Sequence, residues 1–267
     1  MRPTVPLLAG LAALLALPVL LPAQDIPESS PDAIRTHADG LDAYLANDYG
    51  DAISRFLRAH EQDPTFYTPL FMAYLSAENA GAGDRADSLF AVVQANRFRF
   101  SGYYRGRIDV HALARQGRMS EAIEVARRTM ERYPGTKAAY NYAFWVRPRD
   151  PEEALRALAR LDPDREPMEG WIGYWSVRGT ALQNLGDYEG MLENARATAE
   201  RFPDAIGALA GQAHALAALG HFDEMEEVLD RIAALDAEQE ANQLGGVLRT
   251  AGSEARAHGH EAEGLRV

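Results

Sequence analysis

The sequence contains no cysteine. Disulfides, zinc–thiolate centres and thiol nucleophiles are therefore excluded, as is lipid attachment at an N-terminal cysteine. Lysine is nearly as scarce. Lys137 is the only one in 267 residues, and every other basic side chain is arginine, a bias that reads as codon usage. No HExxH, GxSxG, GxGxxG or phosphate-loop pattern occurs, and His60-Glu61 lacks a second histidine at the required step. The commonest metal-hydrolase, serine-hydrolase and nucleotide chemistries thus have no anchor. Positive charge is in deficit, with a net charge of −12. An acidic chain repels phosphate backbones, which argues against a nucleic-acid partner. Solubility alone accounts for the acidity.

Long apolar runs are confined to the N-terminus. Arg2 precedes an apolar stretch from Val5 to Leu21, interrupted by Pro6 and Pro18, and Leu21-Pro22-Ala23 leads into polar Gln24-Asp25. A positive start, an apolar centre and a small residue at the cut have the form of a secretory signal peptide over residues 1–23. Leu21 is larger than the residue preferred at that step, so the cut position is loosely defined. The competing reading is an uncleaved anchor, but the run is short for a span and Pro18 interrupts it. Residues 24–32 read as a polar linker. No later stretch approaches the roughly 20 apolar residues a spanning helix needs. The expectation is an exported chain, periplasmic or secreted and not membrane-spanning once mature. The alternative is an N-terminally anchored one.

What the sequence has in quantity is self-similarity. LGDYEGMLENARATAERFP, around Asp187, aligns without a gap on LGHFDEMEEVLDRIAALDA, around His221. Gly186 and Gly220, Tyr188 and Phe222, and Met191 and Met225 are each 34 residues apart, and so are Ala52 and Ala86, and Phe56 and Phe90. A fixed step of this size denotes a repeat array. Each unit reads as two amphipathic helices joined by a tight turn. Gly or Asn closes the first helix (Asn47, Gly81, Gly117, Gly186, Gly220), where left-handed backbone is favoured. A small residue such as Gly40 or Gly179 sits where the second helix crosses. The second helix carries a small residue and a large one four positions on, which share a face, as Ala52 and Phe56 do. Proline often follows, as at Pro64, Pro134 and Pro203. Units fall at about 33–66, 67–100, 103–136, 137–168, 172–205 and 206–239. In the fourth, Asp150 is set to cap a helix that Pro151 begins.

With these residues in view, the chain resembles the tetratricopeptide repeat family. The resemblance spans residues 33–239 and is best in units 1 and 5. Met191 and Met225 replace a small residue, and unit 4 has a shortened turn. The resemblance implies an all-α fold: a right-handed superhelical solenoid of antiparallel helix pairs, about six units plus a partial seventh. Residues 240–267 hold one more helix, about 241–257, with Gly259 at a turn. They read either as a capping helix or as a truncated seventh repeat of a longer chain.

In that family the first helices line a concave groove that takes extended peptides or partner helices. Carried over residue by residue, the groove would present Tyr104, Arg107, His111 and Arg115 from unit 3, Tyr140 and Asn141 from unit 4, Thr180 and Gln183 from unit 5, and His214 from unit 6. The four in unit 3 are three and four apart and share one helix face. Arginines beside an asparagine suit a carboxylate or a peptide backbone. The alternative is that Arg107 and Arg115 pair with neighbouring carboxylates while Tyr104 packs between units. Trp145, Trp171 and Trp175 read as core, Trp175 as the packing aromatic of unit 5. Phe98 and Phe100 in the run RFRFSGYYR read as filling the seam between units 2 and 3. The carboxylates at Asp223, Glu224, Glu226, Glu227 and Asp230 read as a solvated helix face. His258, His260 and Glu261 sit at a terminus, where too few ordered ligands exist to hold a metal. No catalytic residue, metal or cofactor is therefore expected. The expected function is a non-catalytic scaffold or adaptor of the cell envelope that binds a protein or peptide. The alternatives are the interaction or regulatory part of a longer protein with its catalytic portion elsewhere, and a self-associating component.

Export makes one direct prediction. N-terminal sequencing of the exported protein should begin at Gln24, whereas a chain that keeps Arg2 would establish the anchored form.

Overall fold

The computed structural model describes residues 29–239 and 243–264, so the expected signal peptide lies outside the described residues. Among the described residues the regular structure is helical throughout. The first seven helices are α1 (Pro31–Leu45), α2 (Tyr49–Gln62), α3 (Thr68–Asn79), α4 (Gly83–Ala95), α5 (Gly102–Arg115), α6 (Met119–Arg132) and α7 (Ala138–Val146). The remainder are α8 (Pro151–Leu158), α9 (Ile172–Leu185), α10 (Tyr188–Arg201), α11 (Ile206–Leu219), α12 (Phe222–Gln239), α13 (Leu244–Ala257) and α14 (Glu261–Gly264). Consecutive helices pack as hairpins, and the hairpins stack into a solenoid.

The turns explain the pairing. Asn47, Gly81, Gly117, Gly186, Gly220 and Gly259 have φ of 61°, 67°, 73°, 73°, 76° and 91°. This left-handed backbone lets the chain reverse within a few residues after each first helix, at little cost for Gly or Asn. Asp48 and Asp187 then cap the second helix, accepting the amides of Asp51 and Gly190 at 3.0 and 2.9 Å. Unit 4 turns differently. Asp150 Oδ1 accepts Glu153 N–H at 2.8 Å and Pro151 starts α8, without a left-handed residue. The chain also enters its first helix early. Ser30 caps α1 and Pro31 occupies its first turn, inside the segment expected as linker.

At Gly40 the two helices of unit 1 touch. A Cβ there would lie 2.8 Å from Phe56 Cε1. In unit 2 the equivalent place is filled instead by Tyr74, fully buried, its ring 4.7 Å from Phe90. The core runs as three successive clusters. One holds units 1 and 2 and Ile108, the next units 3 and 4 and the start of α9, and the last units 5 and 6 and α13. Tyr104 packs against both the first and second, and Leu155 against both the second and third. Trp175 differs from expectation: it is half-buried beside the core, with the Arg201 guanidinium 4.5 Å over its ring. The deep aromatic positions are Phe56, Phe66, Phe71 and Tyr74.

The C-terminal part is compact. Helix α13 packs mainly on α11, and its Glu254 accepts Gln183 Nε2 at 2.7 Å and Tyr188 Oη at 3.1 Å. His258 stacks edge-on against Tyr188, and His260 against Phe222.

Burial ranks the consequences of truncation. Phe56→Ala should destabilise the protein by about 3–5 kcal/mol, since it empties a closed site. Phe98→Ala should change stability by less than about 0.5 kcal/mol, because Phe98 is 69 % exposed. Urea midpoints of the two variants against the parent test the ranking.

Candidate functional site

Polar rungs join the first helices of successive units. Asn79 Nδ2 donates to Tyr44 Oη at 2.8 Å, Tyr74 Oη meets His111 Nδ1 at 3.0 Å, and Asn141 Nδ2 donates to Tyr103 Oη at 2.8 Å. Asn184 Nδ2 continues the series to the Arg147 carbonyl at 3.2 Å. These rungs run along the inside of the curve. The curve is tight enough that unit 1 meets the start of unit 5: the Tyr44 ring stacks on Trp171 with centroids 6.1 Å apart and planes 14° apart. The first helices thus line a channel that Tyr44 and Trp171 bridge.

Beside that bridge the channel is aromatic and cationic. Arg107 lies over Phe71 at 4.7 Å, Tyr104 at 5.5 Å and Tyr103 at 5.8 Å. Lys137 Nζ lies 3.8 Å over Trp171, and Tyr140 packs edge-on to the same indole at 6.0 Å. Arg147 lies 4.1 Å over Phe144. Ring faces attract cations but do not neutralise them. Among the described residues, none of these three cations has a carboxylate within ion-pairing distance. Several arginines elsewhere do have carboxylates. Arg97 pairs with Asp109, Arg118 with Glu121, and Arg127 with Glu124 and Glu131.

The electrostatics follow from burial beside Arg107. Burial, then the Arg107 charge, brings the Lys137 amine down to about 8, with Glu166 acting in the opposite direction. Burial also lowers the Arg147 guanidinium. It pushes the Tyr44 and Tyr104 phenols up to about 12, against the pull of Arg107, and raises Tyr140 too. Burial and then Arg107 hold His111 at about 3, so it is neutral in the channel wall. A small cavity of about 20 Å³, bordered by Arg107, His111, Thr129 and Asn141, adjoins this region. It has the room and the polar partners for a single water.

The nine residues expected in the groove separate into three groups. Tyr104, Arg107, His111, Tyr140 and Asn141 come together around the bridge. Tyr104 is wedged between units against Phe71 and Tyr103, and Asn141 is engaged by Tyr103. Thr180, Gln183 and His214 line a separate cleft of about 1410 Å³ between the α1–α2 turn and helices α9 to α11. There the Gln183 amide is held by Glu254. His214 Nε2 is buried without a hydrogen-bond partner among the described residues, and burial lowers its imidazole. Arg115 points to unit 2, where its guanidinium pairs with Glu78 at 2.6 Å and with Asp87. It ties two units together and its charge is matched.

Tyr44, Lys137 and Trp171 belong to the channel and were not singled out for it. Lys137 did carry a signal, as the one lysine of the chain. His258, His260 and Glu261 do not converge; the two imidazoles pack on different rings, and no metal-holding group occurs among the described residues. Nor, among these residues, is any helix long and apolar enough to cross a membrane.

No family model and no curated protein matches the sequence. Solved structures do. A chain of the APC/C Cut9–Hcn1 hetero-tetramer is 13 % identical, with 82 % of this chain and 42 % of that one covered, at a TM-score of 0.51. The fold is the tetratricopeptide-repeat solenoid. A tetratricopeptide repeat protein from Parabacteroides merdae is 11 % identical, with 89 % and 97 % covered, at 0.45. The type IV pilus biogenesis factor PilW is 12 % identical, with 89 % and 91 % covered, at 0.45. At these identities the likeness concerns the fold alone.

Two buried imidazoles, His111 in the channel wall and His37 packed on Phe56 and Phe66, make stability pH-dependent. His111 at about 3 and His37 at about 4 lie below the ordinary 6.5. The unfolded chain therefore binds more protons across that interval. Stability should be complete above about pH 6.5 and fall progressively toward pH 4 and below. His111→Phe should make that fall shallower, as read from urea midpoints across the interval. An unchanged slope would place the imidazole in water.

Proposed function

We propose that this protein is a non-catalytic scaffold that binds a protein or peptide along the concave channel of its solenoid. The observation that carries the reading is the trio of unmatched cations, Arg107, Lys137 and Arg147, set among aromatic faces in a chain of net charge −12. Desolvated cations beside rings bind anionic or amide-rich segments well, because rings supply contact area while cations supply direction. A solenoid presents such groups along an extended surface. The similar chain from the Cut9–Hcn1 structure is itself part of a hetero-tetramer, in keeping with a fold that holds other chains. The form of residues 1–23 supports export and a place in the cell envelope.

Affinity capture tests the reading. Full-length protein, cross-linked in envelope extract, is compared with the Arg107→Glu/Lys137→Glu double variant after circular dichroism shows equal helicity. The expected result is a partner retained by the parent and lost, by at least about tenfold in yield, by the variant, since reversing two charges removes attraction and adds repulsion. Equal capture by both would move the binding surface off the channel.

A further inference from the structure

We propose that the centre of the channel, between Arg107 and Lys137 beside the Tyr44–Trp171 bridge, is a binding site for a phosphoryl dianion. This deepens the channel reading above and rests on it for the location of the binding surface.

The first argument is charge. Arg107 and Lys137 are partly buried and lack carboxylate partners among the described residues, and Arg147 near Tyr140 is in the same condition. The sole carboxylate felt by Lys137 is Glu166, and it is not within pairing distance. What sets these cations apart from the other unpaired arginines is their partial burial against ring faces. A singly charged carboxylate would neutralise only one of these two cations. A phosphate monoester, close to a dianion at neutral pH, would neutralise both.

The second argument is donor geometry. Arginine offers a planar fork and lysine a compact point charge, a pairing suited to phosphoryl oxygens. Lys137 stands at the positive end of α7, where the first amide, of Ala138, already donates to Thr136 Oγ1 at 3.2 Å. The positive end of that helix therefore adds to the same field. The third is enclosure. Trp171, Tyr140 and Tyr44 wall the site, and their apolar faces reduce solvent screening of the two charges.

The single lysine makes the site measurable without knowledge of the partner. Apart from the terminal amine, only Lys137 reacts with an acetylating succinimidyl ester, and digestion with mass spectrometry gives its rate. Orthophosphate, phenyl phosphate, acetate and acetamide are added separately to the full chain at constant ionic strength. Saturable, several-fold slowing by orthophosphate or phenyl phosphate, with little from acetate and none from acetamide, is the expected result. Slowing by phenyl phosphate alone would identify an ester as the source of the phosphoryl group, and slowing by orthophosphate alone the free ion. Arg107→Gln should abolish the protection, while Arg128→Gln, on the exposed side of α6, should retain it. Intact helicity of both variants is the control for folding.

No protection by either phosphate, equal protection by acetate, or protection unchanged in Arg107→Gln would each overturn the assignment. The outcome separates from that of the capture experiment. Protection without partner capture would leave the anion site standing and remove the scaffold reading. Capture lost in the double variant without phosphate protection would do the reverse.

Discussion

A two-helix unit of this length buries one side only, so its other apolar side must be covered by the next unit. Everything in this molecule depends on that stacking. The polar rungs from Asn79 to Tyr44, Tyr74 to His111 and Asn141 to Tyr103 fix how each first helix sits on the next. At the seam between units 2 and 3, the helix backbones scarcely approach one another, and Phe71, Phe100, Tyr104 and His111 fill the gap with rings. Small rotations accumulate along such a stack. Here they bring the end of α1 round to the start of α9, where Tyr44 stacks on Trp171.

The channel then sets its own electrostatics. A cation taken partly out of water costs free energy unless something replaces the solvent. Ring faces replace part of it for Arg107, Lys137 and Arg147. Burial shows its remaining effect in the lowered lysine, the lowered Arg147 and the neutral His111. By contrast, Arg115 on the same helix as Arg107 is held by two carboxylates of the preceding unit. About two turns of α5 separate a cation that fastens units together from a cation open to a ligand.

The sequence was legible where the chemistry is local. A left-handed turn needs Gly or Asn at one position, so Asn47 and the turn glycines could be read directly. The helix pairs followed from the repeat spacing, and the cap at Asp150 from the Asp-Pro step. The common helix face of Tyr104, Arg107 and His111 was legible for the same reason. Which of those side chains would be free was not. Arg115 and Arg107 look alike in sequence, and only the approach of Glu78 and Asp87 from unit 2 distinguishes them. The meeting of Tyr44 with Trp171 was further out of reach, since it depends on curvature summed over four units. Trp175 shows the converse: its spacing fits a packing position, yet the neighbouring cleft leaves it half-buried.

Unit 4, the poorest match to the repeat, is the one that makes the channel. Its helices have 9 and 8 residues where most others have 12 or more. Shortening α8 frees residues 159–171 to form a long connection, and Trp171 at its end swings under Tyr44 and against Lys137. A regular pair would have held those residues in helix and left the middle of the channel open. Gly173 belongs to the same adjustment, because a Cβ there would lie 2.5 Å from Trp171 Nε1 and 2.7 Å from Tyr140 Oη. Irregular positions in an otherwise consistent repeat are where function is expected to override local preference. Here the departure supplies the indole that both closes the channel and carries the lysine.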